Sequence, residues 1–75
     1  MTKKRAIHSD NYSDRFIFVS EADIPKSIRK TIIMAIQTAS IEVGMNEIDG
    51  FKFEFNGGHY NEVTSCMDWT MEFIE

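Results

Sequence analysis

The chain has one cysteine, one proline and no long hydrophobic run among its 75 residues. Cys66 alone cannot form an intramolecular disulfide, and no Cys/His cluster has the spacing of a structural zinc site. The longest uninterrupted apolar run covers residues 32–36, whereas a helix that crosses a bilayer needs ~20 apolar residues. The N-terminus also lacks the apolar segment of a signal peptide. We therefore expect a cytoplasmic protein that does not contact a membrane.

Charge is divided unevenly along the chain, which has 8 basic residues, 12 acidic residues and a net charge of −4. Residues 1–30 contain seven of the basic side chains and four acids, whereas residues 31–75 contain Lys52 alone and eight acids. The two parts therefore have charges of +3 and −7. An acidic surface favours encounters with basic surfaces of other proteins. The alternative is that these charges only keep a small protein soluble.

A single amphipathic helix is predicted for residues 23–44. Asp23 is a good N-cap residue, Pro25 fits the first turn, and Gly44 fits the left-handed C′ position that ends many helices. Apolar side chains recur at helical spacing between these ends. They form one stripe that should face the core, made of Ile28, Ile32, Ala35, Ile36, Ala39 and Val43.

Three other segments have the patterns of β-strands. Residues 15–19 are apolar on both faces, which predicts a central strand or a sheet whose second face is also covered. Residues 51–55 place three phenylalanines on one side, and residues 62–74 alternate along a longer strand. Asn, Gly and Gly at residues 56–58 predict the hairpin turn between these two strands. Residues 45–50 are read as a polar connection.

Residues 1–75 are therefore predicted to form one small α+β domain, in which an amphipathic helix packs on a mainly antiparallel sheet. The element order is β-α-β-β, with an extra short N-terminal strand around Ile7 as an option. Residues 1–5 are expected to be a flexible basic end. The order β-α-β-β resembles that of dodecin-type small flavin-binding oligomers. That resemblance is of element order alone and implies a fold analogy.

Few side chains are suited to catalysis, which needs a nucleophile or an acid/base group placed by its neighbours. The candidates are His8, His59 and Cys66. A solvated turn histidine explains His59, and a strand cysteine commonly acts as a small hydrophobic residue. The Asn-Gly-Gly segment is not followed by the Lys and Ser/Thr of a phosphate-binding loop. We expect no enzymatic activity, no cofactor and no metal.

The favoured function is that of a small acidic module that binds a basic surface on another protein. Candidate partner-binding residues are four acids in the second half of the chain and two apolar residues outside the helix stripe: Glu54, Glu62, Asp68, Glu72, Met34 and Ile41. In size, acidity and lack of a catalytic motif, the chain resembles small phage-encoded inhibitors of host enzymes or host defence, including anti-CRISPR and anti-restriction proteins. This resemblance concerns only these general properties, and it assigns no role to any residue.

Two alternatives use other features of the chain. A nucleic-acid-binding protein would use a basic cluster with tyrosines for stacking: Arg15, Lys26, Arg29 and Lys30, with Tyr12 or Tyr60. Cations near the start of a helix oppose its dipole and are mildly unfavourable there. Their presence favours a role in binding a partner. The third option is a small structural or ligand-holding homo-oligomer, joined through Met34 or Ile41.

Overall fold

The structure is a computed structural model that describes residues 2–10 and 16–74. Its elements are β1 (Lys3–Asp10), β2 (Phe16–Ser20), α1 (Lys26–Gln37), β3 (Gly44–Ile48), β4 (Phe51–Asn61) and β5 (Cys66–Ile74). The five strands form one sheet in the order β2-β1-β5-β4-β3, and all neighbouring strands are antiparallel. Strands from the two ends of the chain therefore pair in the middle of the sheet.

One face of the sheet forms the core with α1. The buried side chains of α1 are Ile28, Ile32 and Ile36, which lie along one side of the helix because they are four residues apart. They pack with buried side chains of the sheet and of the β2–α1 connection: Ala6, Ala22, Ile24, Phe53, Phe55, Met71 and Phe73. The predicted α+β class, with a helix packed on an antiparallel sheet, is confirmed.

The helix begins later than predicted. Its N-cap residue is Pro25, with φ −56° and ψ 148°, and Lys26 is the first helical residue. The assignment of Asp23 as the N-cap is therefore wrong. The reason is steric, because a residue that precedes proline is disfavoured in the helical conformation. Ile24 consequently cannot start the helix that an Asp23 cap would require.

The helix also ends earlier, at Gln37. A Schellman motif closes it: the N–H of Ser40 donates to the carbonyl of Ala35 at 2.9 Å, and the N–H of Ala39 donates to the carbonyl three residues back at 3.2 Å. Ala39 has φ 53° and is in the left-handed C′ position. Ala39 and Val43 are exposed, so their assignment to the core stripe is wrong.

Gly44 is the first residue of β3 and does not end the helix. The predicted polar connection over residues 45–50 is therefore wrong, because it contains most of a strand and a tight turn. Asp49 and Gly50 join β3 to β4 and have φ angles of 47° and 87°. Positive φ at both central residues is characteristic of a type I′ turn. An Asp-Gly pair between two strands is a strong hairpin signal, so the sequence contained the information for β3.

The turn predicted at residues 56–58 is also wrong, because β4 continues through them. A register shift between Phe55 and Gly57 marks a β-bulge, and Gly57 has φ 87°, a conformation that favours glycine. Gly58 is needed for a different reason. A Cβ at this position would lie 2.6 Å from Cζ3 of Trp69 on the neighbouring strand.

The turn between β4 and β5 lies instead at residues 62–65. The side-chain oxygen Oδ1 of Asn61 accepts hydrogen bonds from the backbone N–H groups of Val63 (3.0 Å) and Thr64 (3.4 Å), which is the geometry of an Asx turn. Strand β5 therefore starts at Cys66 and not at residue 62 as predicted, and Val63 in the turn is 95% exposed.

The extra N-terminal strand is present and is longer than expected, since β1 has eight residues and Ile7 opposes Val19 of β2. The expected flexible end does not include Lys3, Lys4 or Arg5, because their backbones pair with β5. The element order is thus β-β-α-β-β-β and not β-α-β-β, which removes the basis of the dodecin comparison. Strand β2 lies at an edge of the sheet, although a central place was predicted.

Candidate functional site

The sheet face opposite α1 is not covered by any other element of the described residues, and we call it the open face. Side chains alternate between the two faces of a strand, so residues paired with one another across the sheet share a face. The strand registers place the following residues on the open face: Arg5, Ile7, Ser9, Ile17, Val19, Glu54, Asp68, Thr70 and Glu72. Three of the four acids expected to bind a partner are therefore brought to one surface.

Two of these acids face each other directly. Glu54 of β4 and Glu72 of β5 are register partners, and Arg5 of β1 opposes Glu72 from the other side. Lys3 is ion-paired with Glu54, with Nζ 3.3 Å from Oε2, but the two side chains are 53% and 40% exposed. Such an exposed pair contributes only about 0–1 kcal/mol. Like charges directly opposite each other destabilise a sheet, and the neighbouring Arg5 and Lys3 offset part of that repulsion.

Asp68 has a structural environment that differs from that of the other acids. Its Oδ1 accepts a hydrogen bond from the hydroxyl of Ser9 at 2.7 Å, and its Oδ2 accepts one from Nδ2 of Asn61 at 3.2 Å. These partners belong to β1 and β4, so the carboxylate links three neighbouring strands. Asp68 is half-buried, and both of its carboxylate oxygens accept hydrogen bonds from neighbouring strands.

The open face also has an apolar patch, made of Ile7, Ile17 and Val19. Ile17 is 55% and Val19 63% exposed, and Ile7 is half-buried between β2 and β5. Along β1, Ile7 lies two residues from Arg5, so the patch is next to the facing acids. Exposed apolar side chains bordered by charges are typical of protein-binding surfaces.

The other three predicted partner-binding residues are elsewhere. Glu62 is exposed in the β4–β5 turn. Met34 is 63% exposed on α1, on the opposite side of the molecule from the open face. Ile41 follows the helix and is half-buried against the core. These three residues do not form one surface with the acids of the sheet.

A separate basic surface lies between α1 and β2. Lys26, Arg29 and Lys30 line a cleft of about 240 Å³ together with Phe18 and Ile33. This is the part of the predicted basic cluster that the structure describes. The two apolar members were missed because the sequence does not reveal which strand lies beside the helix.

Other members of the nucleic-acid hypothesis are not part of this cleft. Arg15 and Tyr12 lie outside the described residues. Tyr60 is on β4, which is separated from β2 by two strands. Tyr60 is therefore not adjacent to this basic cluster, and among the described residues Phe18 lies beside the cations.

Of the three residues considered for catalysis, His59 and Cys66 are two register positions apart on β4 and β5, and His8 is separate from them. His8 is fully buried on the core face, where burial lowers the pKa of its imidazole. A backbone hydrogen bond at Ile17 and the charge of Asp10 act in the opposite direction on that pKa. Cys66 is buried and its Sγ donates to the carbonyl of Thr64 at 3.3 Å. His59 is exposed on β4.

Comparison with known protein families, characterised proteins and solved structures finds no match to this chain. Within residues 2–10 and 16–74, the structure has no group of three His, Cys, Asp or Glu side chains that could hold a metal ion. The same residues include no helix with the length and apolar character needed to span a membrane.

Proposed function

We propose that the chain is a protein-binding module, an inhibitor or modulator of another protein, and that its open face binds a basic surface of that protein. The observation that carries the proposal is the facing pair Glu54 and Glu72 beside the apolar patch of Ile7, Ile17 and Val19. The facing pair supplies charge complementarity to a cation, and the patch supplies apolar area next to it.

The energetics of the facing pair support this proposal. Two carboxylates at directly opposed positions of an antiparallel sheet destabilise it, and Lys3 and Arg5 offset only part of this repulsion because they are exposed. A Lys or Arg of a partner that approaches both carboxylates would remove this repulsion in the complex. The pair thus costs stability in the free protein and contributes affinity in the bound one, as binding surfaces commonly do.

The variant Glu72→Lys tests the proposal because it reverses a charge of the facing pair with little expected effect on folding. In the variant, residue 72 attracts Glu54 and repels Arg5, so we expect the free energy of unfolding to change little. A basic partner is then repelled, and we expect its affinity to fall at least about tenfold, since opposed like charges at an interface cost several kcal/mol. Glu42→Lys is the matched control, because it makes the same charge change at an exposed loop residue away from the open face.

The measurement is capture of partners by the tagged protein from a nuclease-treated bacterial lysate at low and high salt, with mass spectrometry and chemical denaturation of each variant. A protein that is retained by the Glu42→Lys variant and lost by the Glu72→Lys variant would support the proposal. Equal capture by both variants would contradict it. Recovery of the chain alone, with a multimeric mass by light scattering, would favour the homo-oligomer instead.

A further inference from the structure

Within residues 2–10 and 16–74, the cations of the cleft between α1 and β2 have no counter-charges. Lys26 and Lys30 are exposed and Arg29 is half-buried. Among the described residues, no carboxylate lies within ion-pair distance of any of the three. This is unusual in a chain with more acidic than basic residues, because acids are available to pair with cations elsewhere on the surface.

Two features make this arrangement unfavourable in the free protein. The first turn of α1 contains no acidic residue, so the cations of its first turns are opposed by the positive end of the helix dipole. In addition, Nε of Arg29 is buried and has no hydrogen-bond acceptor among the described residues. A buried donor without a partner costs about 1–3 kcal/mol. An anion in the cleft would remove the first of these penalties, because it compensates the positive charge at the start of α1.

The shape and lining of the cleft define the chemistry of that anion. Guanidinium and ammonium groups bind phosphate oxygens well, and a guanidinium can donate two parallel hydrogen bonds. Phe18 and Ile33 form an apolar surface beside the cations, on which a flat ring can stack. The volume of about 240 Å³ is smaller than that of a cavity for a drug-sized ligand, so the site holds one small unit.

We infer that this cleft binds a phosphate ester linked to a flat ring, as in a nucleotide, with the phosphate at Lys26, Arg29 and Lys30 and the ring on Phe18. A free nucleotide and a single strand present the same chemistry. The site is independent of the open face, so failure of this inference leaves the proposed protein-binding function unaffected.

The experiment follows backbone amide signals by NMR during titration with a mononucleotide, a short single-stranded oligonucleotide and inorganic phosphate. We expect the signals of Phe18 and of residues 26–33 to shift, and we expect the nucleotide to bind more tightly than inorganic phosphate. Saturation by the mononucleotide identifies the free ligand as the source, and saturation by the oligonucleotide alone identifies a strand.

The variant Lys26→Gln/Lys30→Gln keeps the buried residues of the cleft, because both lysines are exposed. We expect it to bind at least about tenfold more weakly, since charge-assisted hydrogen bonds to phosphate are lost. Arg5→Gln/Lys52→Gln makes the same change in net charge at exposed residues of the sheet and should bind as the unaltered protein does. Equal weakening in both variants, absence of binding, or equal affinity for phosphate and nucleotide would each overturn the inference.

Discussion

Among the individual residues, His8 has a protonation that is coupled to folding. It is fully buried between Phe18 and Trp69, its register partners on β2 and β5, and burial lowers the pKa of its imidazole. The unfolded chain then binds more protons than the folded one at pH values below about 6.5, the ordinary pKa of histidine. The stabilisation is therefore complete above that pH and is lost as the pH falls through the lowered pKa of the folded state.

We expect the free energy of unfolding to decrease between about pH 7.5 and about pH 5, by about 1.4 kcal/mol for each unit by which the pKa is lowered. Denaturant titrations at several pH values measure this. Carboxylates also titrate towards the acid end, so His8→Leu provides the reference, and we expect a weaker pH dependence in that variant. The exposed residue His59 serves as the control, through His59→Gln. A pH dependence that is identical in all three proteins would contradict the role of His8.

Asp68 shows that the same residue type can have different roles on one surface. Its carboxylate accepts hydrogen bonds from Ser9 and Asn61, whereas Glu72 faces another carboxylate. Replacement of Asp68 by lysine would therefore remove two hydrogen bonds between strands and would not separate binding from folding. For this reason the test of the open face uses Glu72 alone.

Among the secondary-structure elements, α1 is followed at its C′ position by a residue that is not ideal there. Ala39 has φ 53° at the C′ position of a Schellman motif, where glycine is preferred because it has no Cβ. We expect Ala39→Gly to raise the free energy of unfolding by about 0.5–1 kcal/mol, as the strain of a left-handed L-residue is removed. Urea unfolding measures the change.

The same substitution elsewhere in the helix provides the control. Ala35→Gly lies one turn earlier, within α1, where glycine is expected to lower stability by about 1 kcal/mol. A loss of stability in both variants would show that the left-handed conformation of Ala39 is not a source of strain in the folded protein.

For the whole molecule, the sheet topology joins the two ends of the chain. Lys3 of β1 opposes Ile74 of β5, and this central pairing connects residues far apart in sequence. Unfolding of either half therefore removes pairing from the other, and small domains of this kind usually unfold in one cooperative transition. Contacts between distant residues also slow folding, which takes milliseconds to seconds in sheet proteins.

We expect the fluorescence of Trp69, which lies on β5, and the far-ultraviolet circular dichroism to give one common unfolding midpoint in urea. Refolding should be a single phase on the millisecond to second timescale. Gly58→Ala provides a comparison, because its Cβ would displace the ring of Trp69 and lower both midpoints together. Separate midpoints for the two probes would show that the helix and the central strands unfold independently.

Local sequence patterns were sufficient for the class of the fold and for part of its core. Ile28, Ile32 and Ile36 at helical spacing predicted the buried side of α1, and alternating residues predicted the faces of β5. These inferences succeed because the period of a helix or strand is a property of the backbone and is independent of the rest of the chain. Pro25 also contained the correct helix start, through the restriction on the residue before it.

The strand order and the candidate site depended on contacts between distant residues. The facing of Glu54 and Glu72 requires β4 and β5 to pair in one register, and the basic cleft requires β2 to lie beside α1. Asn56, Gly57 and Gly58 have the composition of a turn, but pairing with β5 makes them a bulge within a strand. In each case a long-range backbone ladder or core contact outweighs local preferences of about 1 kcal/mol, so local patterns alone could not predict the outcome.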